Sequence, residues 1–324
     1  MKIFMAGGTG FIGSRLIPAF IRGGHEITLL VRPGEEKGFA LSGVRIVEGD
    51  PAELGRWQED LATHEAVVNL AGASIFQRWT KKARREIRQS RISSTRNIAE
   101  AVKGSSGRTA HLFNASGVGY YGFSGDASVD EKSPKGNTFL ADLAKQWETE
   151  AMRATEGGAR VVLCRLGIVL GRNGGAFTRI HPLVKLHLGS PWGKGTQWFS
   201  WIHEEDCVRI LLFLFERTDL KGPVNFTSPF PVTNRELMGF MNEVVGKKPY
   251  VPSIPGPLIR LSFGEFSTVF LKGQRAVPGV LQKEGFSFRF PALKEALADL
   301  VNTQKQSPVH GRKRRFSSRN TFSL

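Results

Sequence analysis

The chain has 324 residues, 40% hydrophobic and 23% charged. Those values lie close to the averages of folded domains and exclude disordered, collagenous and coiled-coil classes. The net charge of +16 raises the question of nucleic acid, but six of the basic residues fall between 302 and 324 without one acid, and no nucleic-acid-binding signature accompanies the rest.

From the first residue, β-like runs alternate with helical patterns. The runs are Ile3–Ala6, Ile27–Val31, Val44–Glu48, Ala66–Leu70, Leu112–Ala115, Val161–Leu166 and Val224–Phe226. The helices between them are Phe11–Arg22 stopped by Gly23-Gly24, Trp79–Val102, Phe139–Thr155 stopped by Gly157-Gly158, and Asp206–Glu216. This alternation predicts an α/β fold with a parallel sheet and crossover helices. Pro18 lies inside the first helix, where a bend is expected. Cations from Arg78 to Arg96 follow a helical pattern whose buried face is Trp79, Ala83, Ile87 and Ile98, so a solvated helix face accounts for them.

After Gly171 the chain turns rich in Gly, Trp and Pro through Trp201, which reads as loop. Helical patterns return at Asn234–Val245, around Leu258–Leu271 and at Leu293–Leu300. The division expected is 1–230 for a first domain, with 172–205 as an inserted loop region lining a cleft, and 231–301 for a smaller C-terminal lobe. Residues 302–324 read as a basic disordered tail. The longest unbroken apolar run, Ile210–Phe215, is far below the ~20 residues of a membrane span. Met1–Phe4 shows no secretory leader, and Cys164 and Cys207 suit neither a disulfide framework nor a zinc site, so a cytoplasmic protein is expected.

Gly7, Gly8, Gly10 and Gly13 follow the first strand and open the first helix together with Phe11 and Ile12. Both G-x-G-x-x-G and G-x-x-G-x-x-G spacings fit, and in that context they mark a dinucleotide site, with a tight turn and backbone N–H groups open to a pyrophosphate. After the second strand, where an NAD-selective site places an acid, stand Val31 and Arg32. Arg32 is read either as the partner of the 2′-phosphate of NADP or as a solvent-facing turn arginine.

Asn69-Leu70-Ala71-Gly72 resembles the groove-lining N-L-A-[AG] segment of the extended short-chain dehydrogenase/reductase superfamily. The stretches Ser90-Arg91-Ile92, Ser116 to Gly122, Arg165 to Gly171, Gly174-Gly175, Gln197 to His203 and Gly273 to Pro278 narrow the resemblance. They look like an atypical branch of NAD-dependent epimerase/dehydratase-like proteins with an extra C-terminal domain, sometimes labelled cell-division-inhibitor-like. The resemblance implies a Rossmann, doubly wound sheet with a smaller α/β substrate lobe. It also implies NADP contacts at Val31, Arg32, Leu70, Ala71, Gly72, Glu86, Arg91 and Val169 besides the glycines, with an ion pair to neighbouring arginines as the other reading of Glu86.

Short-chain dehydrogenases use a Tyr-x-x-x-Lys pair and a Ser, and this sequence departs at each place. Alignment through Trp147-Glu148 puts Leu140 at the Tyr position and Ala144 at the Lys position, while Gly117 takes the Ser position. Ser116, Tyr120 and Tyr121 are the remaining candidates for a proton donor, with packing as the alternative role of the two tyrosines. His203-Glu204-Glu205-Asp206 reads as a helix start rather than a metal cluster. Trp192, Trp198 and Trp201 either floor a substrate cleft or fill an interdomain core. The expectation is an NADP-binding oxidoreductase or epimerase with a small-molecule substrate and no nucleic acid. Its rival is a catalytically weak regulatory protein, in cell or organelle division as the family label suggests. The motifs name neither substrate nor oligomeric state.

Overall fold

The computed structural model describes residues 1–35 and 42–306. The chain runs β1 (Lys2–Ala6), α1 (Phe11–Arg22), β2 (Glu26–Val31), β3 (Val44–Glu48), α2 (Trp57–Leu61), β4 (Ala66–Asn69), α3 (Lys81–Gly104) and β5 (His111–Gly117). A 3-10 turn, Val118–Tyr121, leads to β6 (Ser128–Val129), α4 (Phe139–Met152), β7 (Arg160–Leu166), β8 (Ile168–Gly171), β9 (Gly174–Gly175) and α5 (Phe177–Lys185). Then come β10 (Trp198–Phe199), β11 (Trp201–His203), α6 (Glu204–Glu216), β12 (Gly222–Phe226), β13 (Val232–Thr233) and α7 (Asn234–Val245). The chain continues through α8 (Gly256–Phe263), α9 (Thr268–Leu271), β14 (Arg275–Ala276), α10 (Gly279–Lys283) and α11 (Leu293–Gln306).

Seven parallel strands form one sheet in the order β12-β7-β5-β4-β1-β2-β3. This is the Rossmann-like doubly wound arrangement, and the strand order reverses between β1 and β4, where such sheets open a ligand crevice at their carboxyl ends. The strands are apolar on both faces because helices cover both. Phe113, Val162, Cys164 and Val224 pack with α1 and α6 on one side, while Leu112, Val161 and Leu163 pack with α3 and the end of α4 on the other. A further core joins α5, α7 and α11 around the fully buried Trp201.

Two expectations are revised. The stretch after Gly171 contains α5, whose Phe177, Ile180 and Val184 line one helical face; Gly174-Gly175 and the internal Pro182 hide that period from a composition scan. The last helix passes residue 302 and ends at Gln306, which corrects the boundary expected at 302; residues 307–324 lie outside the described residues. Among the described residues no helix is long and apolar enough to cross a membrane.

Candidate functional site

The turn between β1 and α1 is shaped by what cannot fit there. Gly7 adopts φ +76, and a Cβ on it would stand 2.6 Å from the carbonyl carbon of Leu70; a Cβ on Gly13 would run into the backbone of Gly8. The turn is thereby pressed directly against Leu70-Ala71, the segment that leaves β4. Asn69 locks that segment, accepting from the Ala71 N–H at 3.1 Å and donating to Asn114 at 2.7 Å and Thr95 at 2.9 Å. Helix α1 begins at Gly10 with no side-chain cap and no acid in its first turn. The N–H groups of Phe11, Ile12 and Gly13 are therefore left without an intrahelical partner, a donor set that suits a pyrophosphate.

Val31 ends β2 in the core, and Arg32 follows it into solvent, paired with Glu35 at 2.7 Å. The cation thus stands where an acid would select against a 2′-phosphate. Arg91 lies on the other wall. Its guanidinium donates to the carbonyls of Ala73 at 2.8 Å and Ile87 at 3.2 Å, sits beside Gly72, and stacks over Trp147 at 5.1 Å. Burial pulls it down to about 10, so it stays charged at neutral pH. Val169, on β8, takes the Ala176 N–H at 3.1 Å and packs against the same core as Ile12 and Leu70. Glu86 is exposed on α3, 3.9 Å from Lys82. The glycine turn, Leu70, Ala71, Gly72 and Arg91 are brought together, while Arg32 and Glu86 project from their elements into solvent.

The ends of β5, β7 and β12 carry a different arrangement. Ser116, Arg165 and Asn225 are register partners across these three strands. Glu148 from α4 drops onto the row, taking two hydrogen bonds from Arg165 at 2.7 and 2.8 Å and one from Ser116 at 2.7 Å. The third nitrogen of Arg165 donates to the Tyr121 hydroxyl at 2.9 Å, which itself donates to Asn225 at 2.7 Å. All five residues are buried. Burial pulls against the charge on Arg165, but the hydrogen bonds and charge of Glu148 outweigh it and hold the guanidinium above its usual range. Burial likewise pushes the Tyr121 phenol up to about 12 against the opposing pull of Arg165.

The hydroxyls of Ser116 and Tyr121 are therefore engaged in a buried ion-pair network. Tyr120 differs: half-buried, with the Arg165 guanidinium 3.6 Å over its ring, it makes no side-chain hydrogen bond among the described residues. Leu140 joins Trp79, Phe139 and Phe266 in an apolar cluster and lies against Gly119, and Ala144 is buried. Neither offers a group that carries a proton.

Sequence reasoning assigned no role to Arg165, Glu148 or Asn225. Two signals were available. Glu148 is an acid in the buried stripe of α4 beside Ala144, Trp147 and Ala151, and Arg165 interrupts the apolar run of β7.

His203 caps α6 by accepting from the Glu205 N–H, and burial takes it down to about 4 in spite of Asp299 nearby. Asp206 accepts from the N–H groups of Arg289 and Phe290, fastening the segment before α11, so these acids serve as clamps. Among the described residues no three such side chains are grouped to hold a metal ion. Trp201 fills a core and donates to the Phe230 carbonyl, Trp192 packs edge-on against Phe270, and Trp198 donates to Asp126.

A family model for the NAD dependent epimerase/dehydratase family matches residues 3–226, and one for a domain of unknown function, DUF1731, matches residues 254–300. The chain is 40% identical over 298 residues to epimerase family protein Mb2239 of Mycobacterium bovis, covering 91% of this chain and 96% of the relative. It is 35% identical over 304 residues to the chloroplastic epimerase family protein SDR39U1 homolog of Arabidopsis thaliana, covering 93% and 87%. The crystal structure of human epimerase family protein SDR39U1 (isoform 2) with NADPH superposes with a TM-score of 0.81 at 30% identity, covering 93% of this chain and 99% of that one.

Proposed function

Because the chain belongs to the NAD dependent epimerase/dehydratase family, we propose that it is an NADP-binding oxidoreductase or epimerase-like enzyme acting on a small molecule, with Tyr120 as its proton-carrying group. The observation that carries this reading is the uncapped start of α1 pressed against Leu70-Ala71 across the reversal in strand order, with Arg32 in place of an acid at the end of β2. The human relative crystallised with NADPH supports it. NADP(H), when bound, supplies or accepts a hydride.

In this reading the N–H groups of Phe11, Ile12 and Gly13 hold the pyrophosphate, and Arg32, released from Glu35, pairs with the 2′-phosphate. Leu70, Ala71, Gly72, Arg91 and Val169 wall the groove, and Glu86 borders it from α3. We assign residues 1–230 to cofactor binding and 231–301 to a substrate lobe, with 172–205 lining the cleft between them. Tyr120 gives or takes a proton at its hydroxyl, its ring held by Arg165. A reducing, cytoplasmic compartment suits the two buried free thiols, Cys164 and Cys207.

A second reading, a cofactor-binding regulatory protein, is favoured by the commitment of Ser116 and Tyr121 to the buried network. Single-turnover oxidation of NADPH against a panel of carbonyl compounds separates the two. Positioned acid–base assistance is worth ~10²- to 10⁴-fold. Tyr120→Phe is expected to lose that much rate with NADPH affinity unchanged, while Ser116→Ala and Tyr121→Phe keep near-parent rates. Full activity in Tyr120→Phe removes Tyr120 from the mechanism, and a parent inert toward every substrate favours the regulatory reading.

A further inference from the structure

We propose that the face built from residues 177–203 and 244–264 seats the protein on the surface of an anionic lipid bilayer. Eight of the fourteen exposed large hydrophobic side chains among the described residues lie on these two segments. Tyr250 is 75% exposed, Leu261 77% and Leu186 64%, and it is the gathering of such side chains, rather than any one of them, that marks an interaction surface.

The two segments are fastened together. The Tyr250 N–H donates to the His187 carbonyl at 3.0 Å, the His187 ring bonds the Lys248 carbonyl at 2.7 Å, and the Ile254 N–H donates to the Pro191 carbonyl at 2.9 Å. His187 sits at φ 61, with its ring stacked on Tyr250 at 4.7 Å. Leu186 and Leu188 are thereby held in the neighbourhood of Tyr250 and Val251. Helix α8 starts two residues beyond Ile254 and presents Leu258 and Leu261, one turn apart, to solvent.

The charge on the same segments has one sign. They contain Arg179, Lys185, Lys194, Lys247, Lys248 and Arg260 and no Asp or Glu. The acids that flank the second segment are taken: Glu243 pairs with Lys294 at 2.6 Å and Glu265 with Arg84. Exposed leucine and tyrosine interleaved with lysine is the composition that inserts shallowly at a headgroup layer while its cations meet anionic lipid. A second copy across a two-fold axis would set six cations against six. A nucleic-acid backbone would use the cations and leave the leucines in water. The bilayer uses both, and the absence of a spanning helix among the described residues makes the attachment peripheral.

The test is sedimentation of the full-length protein with vesicles of phosphatidylcholine alone and of phosphatidylcholine mixed with phosphatidylglycerol. The parent is expected to pellet with the anionic vesicles only. Partition is expected to weaken tenfold or more in Leu186→Ser/Tyr250→Ser and in Lys247→Glu/Lys248→Glu. Every variant retains the basic residues between 305 and 319, so their attraction is common to all samples. Melting curves that match the parent certify the fold, with Leu261→Ser as the replacement for any variant that melts early. Parent-level binding by the leucine–tyrosine variant overturns the proposal, as does a parent that ignores anionic vesicles. A parent dimer that the same variant dissociates, in the absence of vesicle binding, also overturns it in favour of a second copy. Tight binding of duplex DNA that survives loss of the apolar side chains overturns it in favour of nucleic acid.

Discussion

The glycine turn after β1 and the polar row at the ends of β5, β7 and β12 occupy the same edge of one sheet, yet their physics differ. At the turn, side chains are missing and the backbone is left with open donors: Gly7 and Gly13 exist because a Cβ would collide with Leu70 and Gly8. At the row, the side chains are buried and each polar atom of the Arg165 and Glu148 head groups meets a partner. The first region is shaped to receive a charged group from outside. The second satisfies itself. One edge of the sheet thus carries an open backbone turn at one place and a closed side-chain network at another, with Tyr120 beside the network.

The comparison can be broken at the row first. Arg165→Met leaves Glu148 buried without its cation, and removing one partner of such a pair costs about 3–5 kcal/mol. Denaturant unfolding should show that loss, and Arg165→Met combined with Glu148→Leu should recover most of it. A loss below about 1 kcal/mol in the single variant would mean that the row is not scaffold. At the turn, Gly13→Ala forces a methyl into the Gly8 backbone, for which overpacking costs up to about 3 kcal/mol. Here NADPH binding measured by fluorescence titration should fall with stability, whereas Arg165→Met should lose stability with affinity retained in the folded fraction.

A smaller effect is expected at Tyr121→Phe, which strips hydrogen bonds from Arg165 and Asn225. About 1.5 kcal/mol should be lost with no change in NADPH affinity. A change in affinity without a change in stability would transfer Tyr121 from scaffold to site. Smallest is Glu35→Gln, which frees Arg32 from an exposed pair worth about 0.2–1 kcal/mol. NADPH should bind up to about fivefold tighter and NADH equally well, as read by competition titration.

These two regions also explain what was legible from the residues. Gly7 to Gly13, Arg32 and the strand–helix alternation are local signals, each set by a few adjacent residues and the backbone they permit, and the sheet follows from them. Helix α7 and the start of α11 were equally plain, because Leu237 and Met241, like Leu293, Leu297 and Leu300, keep a helical period. The row was illegible as a unit. Ser116, Glu148, Arg165 and Asn225 are scattered over 110 positions, and only the register of three parallel strands and the docking of α4 bring them together. Helix α5 was missed for a different reason, since glycines before it and Pro182 within it mimic a loop while Phe177, Ile180 and Val184 supply the buried face.

NADP selectivity at the turn is read out by calorimetric titration of NADPH and NADH into the parent and into Arg32→Ala. A charge-assisted contact to the 2′-phosphate is worth about 1.5–3 kcal/mol, so NADPH should bind the parent roughly ten- to a hundredfold more tightly than NADH. Arg32→Ala should bring the two affinities together. Equal affinities in the parent, or an Arg32→Ala protein that still prefers NADPH as strongly, would show that Arg32 does not read the 2′-phosphate.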